Sequence, residues 1–180
     1  MAHLKLPEGL PGIRGPLAAY PETAEHIGAL AQALLLGPSS LSPGERELIA
    51  AYVSSLNECS YCARSHAESA KYLLDTDTGI VDQVLDSPES AAISPKFKTL
   101  LVIAGKVQQG GRRVTEEDIA LARSHGADDK ALHDTVLIAA AFCMFNRYVD
   151  GLDTDLPHDP AFYEAAGRFS VDHGYTVRKP

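Results

Sequence analysis

No stretch of this chain alternates apolar and polar residues for long enough to make a strand, whereas helix start and stop signals recur along its whole length. Pro21-Glu22-Thr23 opens a predicted helix through Leu36, stopped by Gly37-Pro38. Ser42, with Pro43 next and Glu45 three residues on, is a helix-capping signature for a helix over 44–56. A third helix reads from Cys59 to Leu74, followed by a loop at 75–79 and a short helix over 80–85. Ser94-Pro95 starts another that reaches Gln109 before Gly110-Gly111, and Thr115 caps one closed by Gly126. The longest, alanine-rich, runs from about Asp129 to Asp150, and a short one lies around 161–169 before a polar tail. The fold class is therefore all-α, a bundle of about six to seven helices.

Residues 1–20, rich in proline and glycine, read as an extended leader across the core; 21–152 as a single helical domain; 153–180 as a short helix and tail. Ser42-Pro43 with Leu48-Ile49 and Ser94-Pro95 with Leu100-Leu101 share a pattern, which reads as a degenerate internal repeat with its second half from about residue 94. Where the first half has Glu47, Cys59 and Cys62, the second has Thr99, Gly111 and Val114.

Apolar content of 45% and charged content of 22% are ordinary globular values. The formal charge of −8, with no run of Lys or Arg, argues against a nucleic-acid surface. No apolar run reaches membrane-span length and the first residues hold no apolar signal core, so a cytoplasmic location with no membrane partner is expected. Three cysteines are too few for a secreted disulfide scaffold.

The chemistry concentrates in Cys59-Ser60-Tyr61-Cys62-Ala63-Arg64-Ser65-His66 and in Glu47 on the preceding helix. On a helix, Cys59, Cys62, Ala63, His66, Ala70, Leu73 and Leu74 form one stripe. Ser60, Arg64, Ser65, Glu68, Ser69 and Lys71 form the other face, with Arg64 and Glu68 spaced for an ion pair. Two thiols, an imidazole and a carboxylate within mutual reach make a thiol redox centre. Two effects compete over the reactive thiol: Cys59 would stand at the helix N-terminus, where the dipole favours thiolate, and Cys62 lies one turn from His66, which can take its proton. Cys143, among alanines and Phe142, reads as core. His3, His26, His125, His133, His158 and His173 have no acid or thiol at useful spacing and read as surface or capping residues. Asn146 and Arg147 read equally as lining the site or a subunit contact.

The combination resembles the alkylhydroperoxidase D-like branch of the carboxymuconolactone decarboxylase superfamily, in particular its peroxidase-related proteins. The resemblance covers roughly residues 10 to 155, including Leu10-Pro11-Gly12-Ile13-Arg14-Gly15, Leu41-Ser42-Pro43-Gly44-Glu45-Arg46-Glu47 and Phe145-Asn146-Arg147-Tyr148-Val149-Asp150-Gly151-Leu152. It implies an oligomeric all-helical fold and hydroperoxide reduction with Cys62 as the reactive thiol, Cys59 as its resolving partner, and Glu47 and His66 as a proton relay. It calls for no bound cofactor, a hydroperoxide substrate and a dithiol or thioredoxin-like reductant. Tyr61 departs from the family, standing where the hydroperoxidase branch has histidine.

Three other readings stay open on the residues alone. Cys59, Cys62, His66 and Glu47 make a zinc ligand count. The dithiol also suits a non-enzymatic redox sensor or interaction protein. Lactone decarboxylation is the third, although that branch lacks the paired cysteines.

Overall fold

The computed structural model describes residues 2–74 and 79–176. Among them are nine α-helices, one 3-10 turn and no strand: α1 (Arg14–Ala19), α2 (Pro21–Leu35), α3 (Pro43–Leu56), α4 (Ser60–Leu74), α5 (Ile80–Asp86), α6 (Pro95–Gln109), α7 (Glu116–Ser124), α8 (Asp129–Gly151) and α9 (Pro160–His173). The all-α expectation holds, with more helices than the six or seven expected. The predicted loop falls largely on residues 75–78, outside the described residues.

The leader is not wholly extended, because 14–19 coil into α1. Pro16 is tolerated there because it sits in the first turn, where backbone N–H groups have no helical acceptor in any case. The leader does cross the molecule: His3 N donates to Leu152 O at 2.9 Å and Gly12 N to Asp155 O at 3.0 Å.

Caps place the helices that matter. Ser42 Oγ accepts from Glu45 N at 3.2 Å while Ser42 N donates to Glu45 Oε2 at 2.8 Å, which starts α3 at Pro43. Its far end closes with Cys59 N donating to Ser54 O at 3.0 Å and Glu58 N to Ser55 O at 2.9 Å. Glu58 takes the left-handed conformation, φ 60°, where glycine is usual. This turn folds α4 back along α3.

α3 is the hub, packing on α4, α6 and α8, while α9 lies against α4. The main core gathers Ile49, Val53, Leu100, Ile103, Ile138 and Phe142. Truncating a fully buried aromatic such as Phe142 to alanine would cost about 3–5 kcal/mol. A second, smaller apolar cluster holds Cys59, Tyr61, Cys62, Val149 and Tyr163. The two thiols thus occupy a compartment at the joint of α4, α8 and α9.

Covering by α9 corrects the reading of α4 as having one outward face. Ser69 is buried, its hydroxyl donating to Ser65 O at 3.2 Å and to Gly167 O at 3.5 Å. Gly167 permits the contact, since a Cβ there would stand 2.8 Å from Ser69 N. Arg64 and Glu68 part company: Arg64 lies over the Tyr163 ring at 5.7 Å, and Glu68 accepts from Lys71 at 3.1 Å. No helix among the described residues is long and apolar enough to cross a membrane.

Candidate active site

The α3–α4 hairpin brings together all four residues singled out from the sequence. Glu47 faces inward from α3 with no exposed surface, in line with Ala51 and Ser54, whose small side chains let α4 approach. Its carboxylate Oε2 accepts from His66 Nδ1 at 2.6 Å. A buried carboxylate is costly unless partnered, and charge-assisted bonds of this length supply that partner. The bond also assigns the imidazole: with Nδ1–H donated to Glu47, Nε2 is left free to exchange protons. Phe142 of α8 meets the imidazole edge-on, ring centroids 4.6 Å apart. Burial alone would lower the His66 pKa; the charge and hydrogen bond of Glu47, with Cys62 adding to them, outweigh it and hold it above the ordinary value.

Cys59 caps α4, its carbonyl accepting from Ala63 N at 2.9 Å, and Cys62 sits in the first turn. Both thiols therefore feel the helix N-terminus, and their neighbours decide between them. The hydrogen bond from Cys59, with His66 and Asn146 adding to it, outweighs burial and lowers the Cys62 pKa. The same bond, then burial and nearby Asp150, holds the Cys59 proton far above the ordinary thiol range. Both thiols are free, and Cys62 is only 3% exposed.

Asn146 belongs to this centre and Arg147 does not. Asn146, 1% exposed, donates through Nδ2 to Ser54 Oγ at 3.0 Å and accepts from Asn57 Nδ2 at 2.8 Å. Gln108 Nε2 donates to Asn57 Oδ1 at 3.0 Å. This chain of amides ties α6 and α8 to the hairpin turn just before Cys59. Arg147 points away and donates to Cys143 O at 2.8 Å. Cys143 packs against the main core as expected.

Tyr61 is buried against Tyr163 and Phe162. Gly12, φ 58°, presses on it so closely that a Cβ would stand 2.1 Å from the ring. Burial, outweighing Arg14, pushes its phenol up to about 12, so it stays protonated and is no base. Beside it and His66 opens a cleft of about 470 Å³ between α1, α4 and α9, walled by Ile13, Leu17, Phe162 and Phe169, with Arg14 at one side.

Tyr175 joins the site without any signal in the sequence: its hydroxyl donates to Glu47 Oε1 at 2.7 Å. Nothing in a polar tail marks such a contact. His133 also has the acid partner denied to it, Asp134 at 3.0 Å, the adjacent residue in sequence. Among the described residues no group of three or more His, Cys, Asp or Glu is placed to hold a metal ion.

The carboxymuconolactone decarboxylase family profile matches residues 21–101, the stretch that carries Glu47, both thiols and His66. The fold is shared with an uncharacterized peroxidase-related protein from Ralstonia eutropha JMP134 described as an alkylhydroperoxidase AhpD core, at 28% identity and TM-score 0.77 over 88% of this chain and 81% of that one. A peroxidase-related protein from Silicibacter sp. TM1040 is 29% identical, with TM-score 0.75 over 86% and 80% of the two chains. The likeness is thus to the carboxymuconolactone decarboxylase family over residues 21–101 and to these two peroxidase-related proteins over most of the chain. A protein of unknown function from Agrobacterium tumefaciens, 18% identical with TM-score 0.67 over 80% and 97% of the two chains, shares the fold alone. None of the curated proteins matches this chain.

Proposed function

We propose that the protein is a thiol-dependent peroxidase that cycles Cys59 and Cys62 between dithiol and disulfide. The observation that carries this reading is the pairing of fully buried Glu47 with His66 at 2.6 Å, on the same helical hairpin as a thiol whose proton is held loosely and a neighbour whose proton is held tightly. His66 takes the Cys62 proton through Nε2, and Glu47 steadies the resulting imidazolium. The thiolate attacks one peroxide oxygen, the O–O bond breaks, and the departing alkoxide takes the proton from His66 to leave as alcohol. Cys62 is then a sulfenic acid. The Cys59 sulfur attacks it, forming the disulfide and releasing water. A dithiol or thioredoxin-like donor restores both thiols and leaves as its own disulfide. The apolar cleft beside His66 suits the organic part of a hydroperoxide.

One observation favours a second reading, a redox sensor without turnover: both thiols are almost wholly buried, so a reductant must open the site to reach them. Steady-state reduction of an organic hydroperoxide with a dithiol donor separates the two. The peroxidase reading expects turnover that Cys62→Ser abolishes and Cys59→Ser limits to a single event. Stoichiometric oxidation without turnover under every dithiol tried supports the sensor instead.

A further inference from the structure

After α9, Gly174 turns the chain inward and delivers Tyr175 to the back of the relay. Gly174 has φ 79° and ψ −178°, a conformation open essentially to glycine, and a Cβ there would stand 2.4 Å from Gln32 Oε1. The same Gln32 oxygen accepts from Tyr175 N at 2.8 Å and anchors the turn on α2. The Tyr175 ring then stacks on the His66 imidazole, centroids 5.9 Å apart and planes within 24°, while its hydroxyl reaches Glu47.

We propose that Tyr175 is a positioning residue of this site, its hydroxyl holding Oε1 of Glu47 so that Oε2 stays on His66 Nδ1. The proposal deepens the peroxidase reading and rests on it for its catalytic meaning. Each carboxylate oxygen has its own donor at 2.6 or 2.7 Å, so the group has one orientation and the imidazole one tautomer. Burial, with the Glu47 charge beside it, pushes the Tyr175 hydroxyl well above the ordinary tyrosine range, so it remains a donor at every working pH.

The hydroxyl also sets how tightly the pair holds its proton. When His66 is protonated, the imidazolium compensates the Glu47 charge; when it is neutral, the buried carboxylate depends on Tyr175. Removing the hydroxyl thus destabilises the neutral state more and strengthens the hold on the proton. The other groups bearing on the pair stay in place: Cys62 on α4, Arg46 on α3, with Asp134 of α8 acting on Arg46, and the uncharged Ser69 and Ser170 beside Tyr175.

The test is an NMR titration of the His66 ring, assigned by its loss in His66→Gln, in wild type, Tyr175→Phe and Gly174→Ala. Tyr175→Phe removes one oxygen and keeps the stack; Gly174→Ala keeps the hydroxyl but displaces it. Both should raise the apparent pKa of the pair by about one unit, on the scale of a charge-assisted hydrogen bond. A Tyr175→Phe curve that coincides with wild type overturns the proposal, as does a Gly174→Ala curve unshifted from wild type. The titration needs no turnover, so a protein without peroxidase activity would still report on Tyr175.

Discussion

Replacing Glu47 by glutamine changes one atom and alters every relation in the centre. The carboxylate accepts twice, from His66 Nδ1 at 2.6 Å and from the Tyr175 hydroxyl at 2.7 Å, and an amide offers one acceptor and one donor. If the amide oxygen stays on Tyr175, its NH2 faces Nδ1 and forces the imidazole proton onto Nε2. The lone pair meant for the thiol is then gone. If the oxygen faces His66, an NH2 meets Tyr175 and no negative charge remains to support an imidazolium. Either way general-base action is lost, a contribution of about 10²–10⁴-fold, or roughly 3–5 kcal/mol of transition-state stabilisation.

Stability moves less. Each bond to the carboxylate contributes about 1.5–3 kcal/mol, and relief of a buried charge offsets much of that loss. The net change should be within about 2 kcal/mol, or at most about 8 °C in Tm for a chain of this size. Its pH dependence has a definite sign. The His66 pKa is raised by folding, so the pairing stabilises fully below the unfolded value of about 6.5 and fades as pH rises through the raised folded value. The Tm gap between wild type and Glu47→Gln should therefore be wider at about pH 5.5 than at about pH 9. The decisive assay is kcat/KM for an organic hydroperoxide with a dithiol donor, beside the rate of Cys62 alkylation against pH. A Glu47→Gln protein within about twofold of wild type would remove Glu47 from the mechanism and refute the reasoning.

Other consequences follow from the same geometry. Asn146→Ala removes one of the groups that lower the Cys62 pKa, so the alkylation profile should move up by as much as about one pH unit; an unmoved profile would separate Asn146 from the thiol. It also strips Ser54 and Asn57 of a buried partner, so Tm should fall with it. Leu121, Val136, Leu137 and Met144 stand exposed on α7 and α8, and light scattering should report a homo-oligomer; a mass near 19.2 kDa at micromolar concentration would contradict this.

Much of this architecture is legible in the sequence, for identifiable reasons. Ser42 and Ser94 cap α3 and α6 as their sequences require, and Gly37 and Gly110 follow their helices' ends, so those bounds shift by no more than a residue. The His66–Glu47 pairing follows from two amphipathic stripes that have to face each other. The α3–α4 turn is less readable, because its left-handed residue is Glu58 rather than glycine. Ser69 reads as part of an outer face, since nothing in α4 itself says that α9 will cover it. Tyr175 meets Glu47 across 128 positions of sequence, a contact with no period, cap or motif to announce it. α1 is hidden by Gly15 and Pro16, which argue locally against a helix that the surrounding packing permits.

The central claim, a dithiol that reduces a peroxide through Cys62, is met most directly by one equivalent of organic hydroperoxide added to the fully reduced protein and read by mass spectrometry. The account predicts that one equivalent of alcohol forms, that wild type carries a single Cys59–Cys62 disulfide with Cys143 still reduced, and that Cys59→Ser traps a sulfenic acid on Cys62. Hydroperoxide left unconsumed, or oxidation that falls on Cys143 instead, would contradict it.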